Sequence, residues 1–267
     1  MLLVNKKMYD NFSTDEDTDR EEEIVEAKGK KNPFEVEVFK TNKEEIWQPS
    51  CCDCELLPKL PTTMLVIGRS GSGKTNAVVN LLQKENLLKD AFDYIYLYSG
   101  IKPDQELLKP LNIPKSQTFI DFSEEDVKKI MTKMENTVES IGMKKTPSVL
   151  FLFDDILGKP KFLRSETMSK LVTTNRHMNI TCIILSQYFK KLPPVVRTNA
   201  SYYMIFPSSM SELEKIADEL TPPNKSKKEF IKLLQYATNE KYNFFSLNSK
   251  TSADKMCRKN FAQIINI

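Results

Sequence analysis

The sequence predicts an α/β fold with a mainly parallel central sheet and helices on both faces. Three observations predict it. The first is Gly68-Arg69-Ser70-Gly71-Ser72-Gly73-Lys74-Thr75, the G-x-x-x-x-G-K-[ST] pattern of a phosphate-binding loop (P-loop). The second is its setting: the short apolar run 64–67 before it reads as a buried strand, and residues 75–84 after it read as a helix. The third is the recurrence of strand-then-helix order down the rest of the chain.

Taken in order, residues 1–32 read as a disordered tail, acidic and then Lys/Gly-rich. Phe34-Glu35-Val36-Glu37-Val38 alternates like a half-exposed strand, and 33–60 reads as that strand plus a Pro- and Cys-bearing connector. The P-loop domain spans 61–267. After the P-loop helix come strands at 94–98 and 118–120. Ser123-Glu124-Glu125-Asp126 caps a helix running to about Ser140. An apolar strand at 149–153 ends in Asp154-Asp155. A helix is expected over 163–173, a strand over 181–185 ending in Ser186-Gln187, and another strand over 202–206. A helix begins near Ser211 and is broken by Pro222 and Pro223. Residues 227–236 are helical and 242–247 form a late strand.

The residue types in the loop match a chemical task. Glycines admit backbone conformations that a Cβ forbids, so successive N–H groups can turn inward around phosphate. The following helix N-terminus adds partial positive charge. Gly68, Arg69, Ser70, Gly71, Ser72, Gly73, Lys74, Thr75 and Asn76 are therefore the candidate nucleotide-binding residues. Lys74 reaches the β- and γ-phosphates of a nucleotide, and the Thr75 hydroxyl ligates Mg²⁺. A plain Gly/Ser turn gives no reason for the Lys-Thr pair.

Such a loop needs an acidic partner. Alone, Asp154-Asp155 after a strand reads as a turn or cap. With a P-loop upstream it takes the form of a Walker B end: Asp154 holds the Mg²⁺ shell, and Asp155 orients or deprotonates the attacking water. Gln187, ending a strand expected beside the P-loop strand, is placed to bond the γ-phosphate or that water. Arg176 lies too far along its loop to be assumed near its own phosphate. Spacing alone favours a surface residue; service to a neighbouring subunit as an arginine finger is the other reading. Arg197 and Asn199 stay open in the same way.

Charge is unevenly spread. The 267-residue chain is +3 overall, yet Asp10–Glu26 holds nine acids and one Arg, leaving the remainder about +11. A basic body suits a polyanion partner, although a solvated surface explains it equally well. No apolar run reaches the ~18 residues of a membrane span, and 1–4 is too short for a signal-peptide core, so an intracellular protein is expected. Cys51-Cys52-Asp53-Cys54 lacks a second cysteine pair at finger spacing, and the single histidine, His177, is distant, so reduced thiols are favoured over a metal knuckle.

Together these segments resemble a known group. The chain is similar to the poxvirus-type genome-packaging ATPases of large DNA viruses, within the FtsK–HerA group of P-loop translocases. The resemblance covers about 61–247 and is carried by the P-loop, Leu152-Phe153-Asp154-Asp155, Asn175-Arg176-His177-Met178-Asn179-Ile180, Ile184-Leu185-Ser186-Gln187 and Leu192-Pro193-Pro194-Val195-Val196-Arg197-Thr198-Asn199-Ala200. It implies a RecA-like fold and a homo-oligomeric ring, hexamer or pentamer, with nucleotide between subunits. It implies ATP hydrolysis driving double-stranded DNA into a preformed capsid, with a capsid or portal component as partner, in the viral factory of the infected cell or in the virion. It makes Arg176 the arginine-finger candidate and Gln187 the sensor of phosphate loss, while His177 packs or bonds locally. Where many such ATPases carry Glu, this chain has the shorter Asp155. Loops holding Lys159, Lys161, Arg164, Lys190 and Lys191 are candidate DNA contacts. The competing readings are a nucleotide-gated switch with little hydrolysis and a small-molecule kinase.

Overall fold

The computed structural model describes residues 56–102 and 104–266. The tail predicted over 1–32, the strand predicted at 34–38 and the Cys51–Cys54 cluster lie outside the described residues.

The described elements run β1 (Thr63–Ile67), α1 (Lys74–Gln83), β2 (Tyr94–Ser99), α2 (Gln105–Leu108), β3 (Thr118–Ile120), α3 (Glu124–Ile141), β4 (Val149–Asp154), α4 (Pro160–Leu163) and α5 (Glu166–Thr174). They continue as β5 (Ile180–Ser186), α6 (Pro194–Asn199), β6 (Tyr202–Ile205), α7 (Met210–Leu220), α8 (Lys227–Ala237), β7 (Phe245–Asn248), β8 (Cys257–Lys259) and β9 (Gln263–Ile264). The sheet order is β3-β2-β4-β5-β1-β6-β7-β8-β9. From β3 to β6 every pairing is parallel, and β7, β8 and β9 add antiparallel.

The strand sequences explain the layering. β1, β4 and β5 are buried almost throughout, as continuous apolar runs require when both faces are covered. Alternate side chains serve the two faces. Leu65, Ile67, Phe151, Phe153 and Ile184 pack on the side of α3, α5, α7 and α8. Met64, Val66, Leu150, Leu152 and Ile183 pack on the side of α1. Because parallel strands all point one way, their carboxyl ends share one edge, and that edge carries Gly68, Gly100, Asp154 and Gln187.

The mainly parallel, two-faced architecture follows the sequence expectation, with local differences. The helix expected over 163–173 is α5, which starts later, at Glu166, behind the short separate helix α4. Ser165 accepts the Met168 N–H at 3.2 Å and restarts the chain as an N-cap, a hydroxyl–backbone bond that competes with continuing α4. The Pro193-Pro194 segment forms α6, with Pro supplying the fixed φ of a helix start. The late strand expected over 242–247 begins only at Phe245, because Tyr242 takes a positive φ of 69°. β8 and β9 were not expected.

Arg197, left open by the sequence, has a structural role. It is only 8% exposed. Its Nε and Nη2 donate to the Glu219 carboxylate at 2.8 and 2.9 Å, Nη1 donates to the Leu192 carbonyl, and the guanidinium lies 5.3 Å from the Phe189 ring centroid. This ties α6 to α7. Asn199 Nδ2 likewise donates to the Val195 carbonyl of its own helix at 2.7 Å. The Arg197 hydrogen bond holds the Glu219 carboxyl below its ordinary pKa, opposed by partial burial and aided by Lys190. Arg197→Ala should cost about 1–3 kcal/mol in denaturant unfolding at neutral pH. Because the folded pKa of Glu219 is depressed, its stabilisation is present above the unfolded carboxylate pKa. The penalty should therefore shrink as pH falls through the folded value.

Candidate functional site

The cradle begins where β1 ends. The Gly68 N–H donates to the Ser186 carbonyl at 3.1 Å and the Phe206 N–H donates to the Ile67 carbonyl at 2.8 Å, so both neighbouring strands hold the loop's base. A Cβ at Gly68 would stand 2.5 Å from Phe206 Cβ and 2.8 Å from Ser72 Oγ. Gly71 and Gly73 take φ of 73° and 100°, where other residues are strained. The helix that follows starts without side-chain help. α3 and α8 carry capping boxes and acidic first turns, whereas α1 has no side-chain cap and no acid in its first turn. Its leading N–H groups and partial positive charge stay uncompensated by side chains, which suits an anion. Ser72 Oγ is buried with no hydrogen-bond partner among the described residues.

Charged groups converge on that loop. The Lys74 ammonium lies over it, donating to the carbonyls of Gly68 and Arg69 at 2.8 and 2.9 Å. Burial pulls its pKa below the ordinary value, against the opposing pull of Asp154 and Asp155. Asp154 ends β4; burial and the adjacent Asp155 push its carboxyl pKa up, with Lys74 pulling the other way. A partly buried carboxylate short of positive charge, beside the Thr75 hydroxyl in one cleft, offers the hard oxygen donors that Mg²⁺ takes, so the donor set fits that ion. Arg69, Ser70 and Asn76 are exposed on the loop and first turn. Asn76 accepts from Asn80 Nδ2 through its carbonyl and Oδ1 at 2.9 Å each.

Asp155 follows in a left-handed conformation, φ 49°. Gly100, which the sequence reading missed, lies against it: a Cβ there would stand 2.6 Å from the Asp155 carbonyl oxygen. The Gly100 N–H also donates to the Asp154 carbonyl at 3.3 Å. A glycine directly after an apolar strand was the available signal. Gln187 directly follows β5, which pairs with β1 as expected, and its Nε2 points at Asp155 Oδ1 from 3.5 Å, a weak contact. The Ser186 hydroxyl shapes the next turn, donating to the Tyr188 carbonyl at 2.9 Å and accepting its N–H at 3.3 Å. Lys74, Thr75, Asp154, Asp155, Ser186 and Gln187 line one open cleft of about 410 Å³, whose outer wall is Ile101, Asp104 and Leu107. No motif marked that wall. The Asp104 carboxylate is already engaged, accepting the N–H groups of Glu106 and Leu107.

Arg176 is not brought to this cleft. It sits exposed in the turn Asn175–Met178 that enters β5, while the cleft lies at the exit of that strand. Seven residues of strand separate the two by ~20 Å. His177 is exposed beside it rather than packed. Among the candidate DNA-contact cations, Lys159 is ion-paired with Asp121 and Lys190 with Glu219. Lys161, Arg164 and Lys191 are exposed.

The raised Asp154 pKa has a stability consequence. The folded state binds this proton more tightly than the unfolded chain, so the cost is absent below the unfolded pKa and present once pH passes the folded one. At neutral pH, Asp154→Asn should raise the Tm of the nucleotide-free protein by ~2–4 °C, about 1 kcal/mol. Thermal unfolding with and without Mg²⁺ checks this; a Tm unchanged or lowered in the absence of metal would contradict the assigned charge imbalance.

Known proteins share this fold and sequence. The chain is 27% identical over 188 residues to the DNA packaging protein OPG160 of Variola virus, covering 67% of this chain and 65% of that one. It is 26% identical over the same span to the counterpart of Vaccinia virus (strain Copenhagen). The chain thus matches 65% of the length of these curated relatives. The genome packaging NTPase B204 from Sulfolobus turreted icosahedral virus 2, solved with AMPPCP, superposes with a TM-score of 0.52 at 15% identity, covering 77% of this chain and 99% of that one. At that identity the likeness is one of fold. The family model described as Poxvirus A32 protein matches residues 52–260. The kinship read from the sequence is borne out: this chain belongs to the Poxvirus A32 protein family.

Proposed function

We propose that this chain is an ATP-hydrolysing motor that moves double-stranded DNA into a preformed viral capsid. The observation that carries the reading is the convergence, in one cleft, of an uncapped P-loop helix, Lys74, two carboxylates and Gln187. The names of the relatives support the packaging role: the Variola and Vaccinia proteins are DNA packaging proteins.

In this reading, the main-chain amides of Gly68–Thr75 hold the phosphates. Lys74 leaves the two loop carbonyls it now binds and meets the β- and γ-oxygens. Thr75 and Asp154 hold Mg²⁺, which when bound neutralises developing phosphate charge. Asp155 orients water for in-line attack on the γ-phosphorus. Gln187, near enough to Asp155 to sense its position, reports phosphate loss to the Tyr188–Leu192 turn. Arg176, on the opposite sheet edge, serves the cleft of the next copy in a hexameric or pentameric ring. Exposed Lys161, Arg164 and Lys191 contact DNA phosphates, and a capsid or portal component anchors the ring. The viral factory is the place of action. No helix among the described residues is long and apolar enough to cross a membrane.

ATP turnover should rise when double-stranded DNA is added, and Lys74→Ala should lower it ~100-fold or more with the fold intact by circular dichroism. Wild-type-like turnover in that variant would place the site elsewhere, and indifference to DNA would remove the motor reading. For Arg176, mixing Arg176→Ala with Lys74→Ala subunits should restore part of the activity, because some interfaces then pair an intact Lys74 with an intact Arg176. Intact oligomers with no recovery at any ratio would refute action across subunits.

A further inference from the structure

The cleft has a direction. Asp154, Asp155 and Gln187, the groups suited to a γ-phosphate, come from β4 and β5. These strands lie on one side of β1. A nucleoside triphosphate laid along the loop with its γ end there must carry its ribose and base toward the other neighbour of β1, which is β6. On that side an aromatic ring waits. Tyr242 Cδ1 stands 3.2 Å from the Cβ position of Gly73, and Phe206 Cε1 stands 3.7 Å from it. The Phe206 ring is buried, whereas Tyr242 is 58% exposed. Tyr242 also holds a positive φ of 69°, a costly conformation for a bulky side chain, of the kind retained at ligand sites.

The surrounding bonds keep it there. The Asn243 N–H and Nδ2 donate to the Glu240 carbonyl and carboxylate at 3.2 and 2.8 Å. Asn260 Nδ2 donates to Asn243 Oδ1 at 3.0 Å, and Asn260 Oδ1 accepts the Phe244 N–H at 3.1 Å. The Lys241 ammonium lies 4.8 Å from the Tyr242 ring centroid. A strained, exposed ring is thus fixed against the P-loop on the side opposite the hydrolytic groups.

We infer that Tyr242 is the platform on which the base of the bound nucleotide stacks. The inference rests on the nucleotide-site reading above and deepens it by naming the ligand's other end. A ring face reads area rather than hydrogen-bond pattern, so it favours purines over pyrimidines and separates ATP from GTP little.

Calorimetric titration of the full chain with AMPPCP, GMPPCP, CMPPCP and inorganic tripolyphosphate tests it. Tyr242→Ala should weaken AMPPCP and GMPPCP about 5- to 150-fold, the usual worth of a base–aromatic stack. Tripolyphosphate affinity should stay unchanged, and Tyr242→Phe should restore purine binding. Equal loss for purine nucleotides and tripolyphosphate would mean that Tyr242 only buttresses Gly73, overturning the inference. So would unaltered purine affinity in Tyr242→Ala while Lys74→Ala loses all ligands; in that case the phosphate cradle still stands. Failure of the wild-type chain to bind any of the four would remove the cradle and the platform together.

Discussion

The cleft depends on one backbone arrangement: a helix whose amino end carries no side-chain compensation, launched from a strand held between two neighbours. β1 is bonded to β5 on one side and β6 on the other. The loop's first residue inherits that grip through the Ser186 carbonyl. Gly68 and Gly73 let the chain coil tightly without a Cβ meeting Phe206 or Tyr242, and Gly71 supplies a positive φ. Two of the other long helices, α3 and α8, fill their leading N–H groups with Ser, Asp and Glu. α1 leaves them for an anion. In the function proposed above, phosphate affinity is mainly a property of main chain, and side chains tune it.

The side chains that tune it conflict with one another. Asp154 and Asp155 are adjacent carboxylates, and Lys74 bonds to carbonyls rather than to either of them. Burial raises the Asp154 pKa and lowers that of Lys74. Burial thus disfavours the charged form of each group, a pattern that clusters at functional sites. The left-handed Asp155 and the Cβ-free Gly100 beneath it belong to the same pattern of local strain at a site.

The parallel sheet also separates two chemistries. Its carboxyl edge carries the residues proposed to hold phosphate, and its amino edge carries Arg176 and His177. A strand's length between them keeps a single copy from completing the arrangement described for the neighbour. Arg197, equally cationic and close in sequence, is spent on Glu219 and the Leu192 carbonyl, where it fastens α6 to α7. The difference between the Arg197 tie and the exposed Arg176 is burial and a waiting carboxylate, neither of which spacing reveals.

The sequence by itself determined the loop, the strand that feeds it, the acidic strand end and the two-faced sheet. These are local facts: glycine spacing, continuous apolar runs and the Asp-Asp pair need no distant partner to be recognised. It also carried the kinship, through Arg176, Gln187 and the Pro193-Pro194 segment in order. Tertiary structure decided the rest. Gly100 matters only because β2 lies beside β4. Tyr242 reaches Gly73 only because β7 returns antiparallel along β6 and carries the preceding turn to the loop. The break at Ser165 came from one hydroxyl outcompeting a helical continuation. Contacts between residues far apart in the chain have no periodicity to announce them, and here they form the cleft's walls.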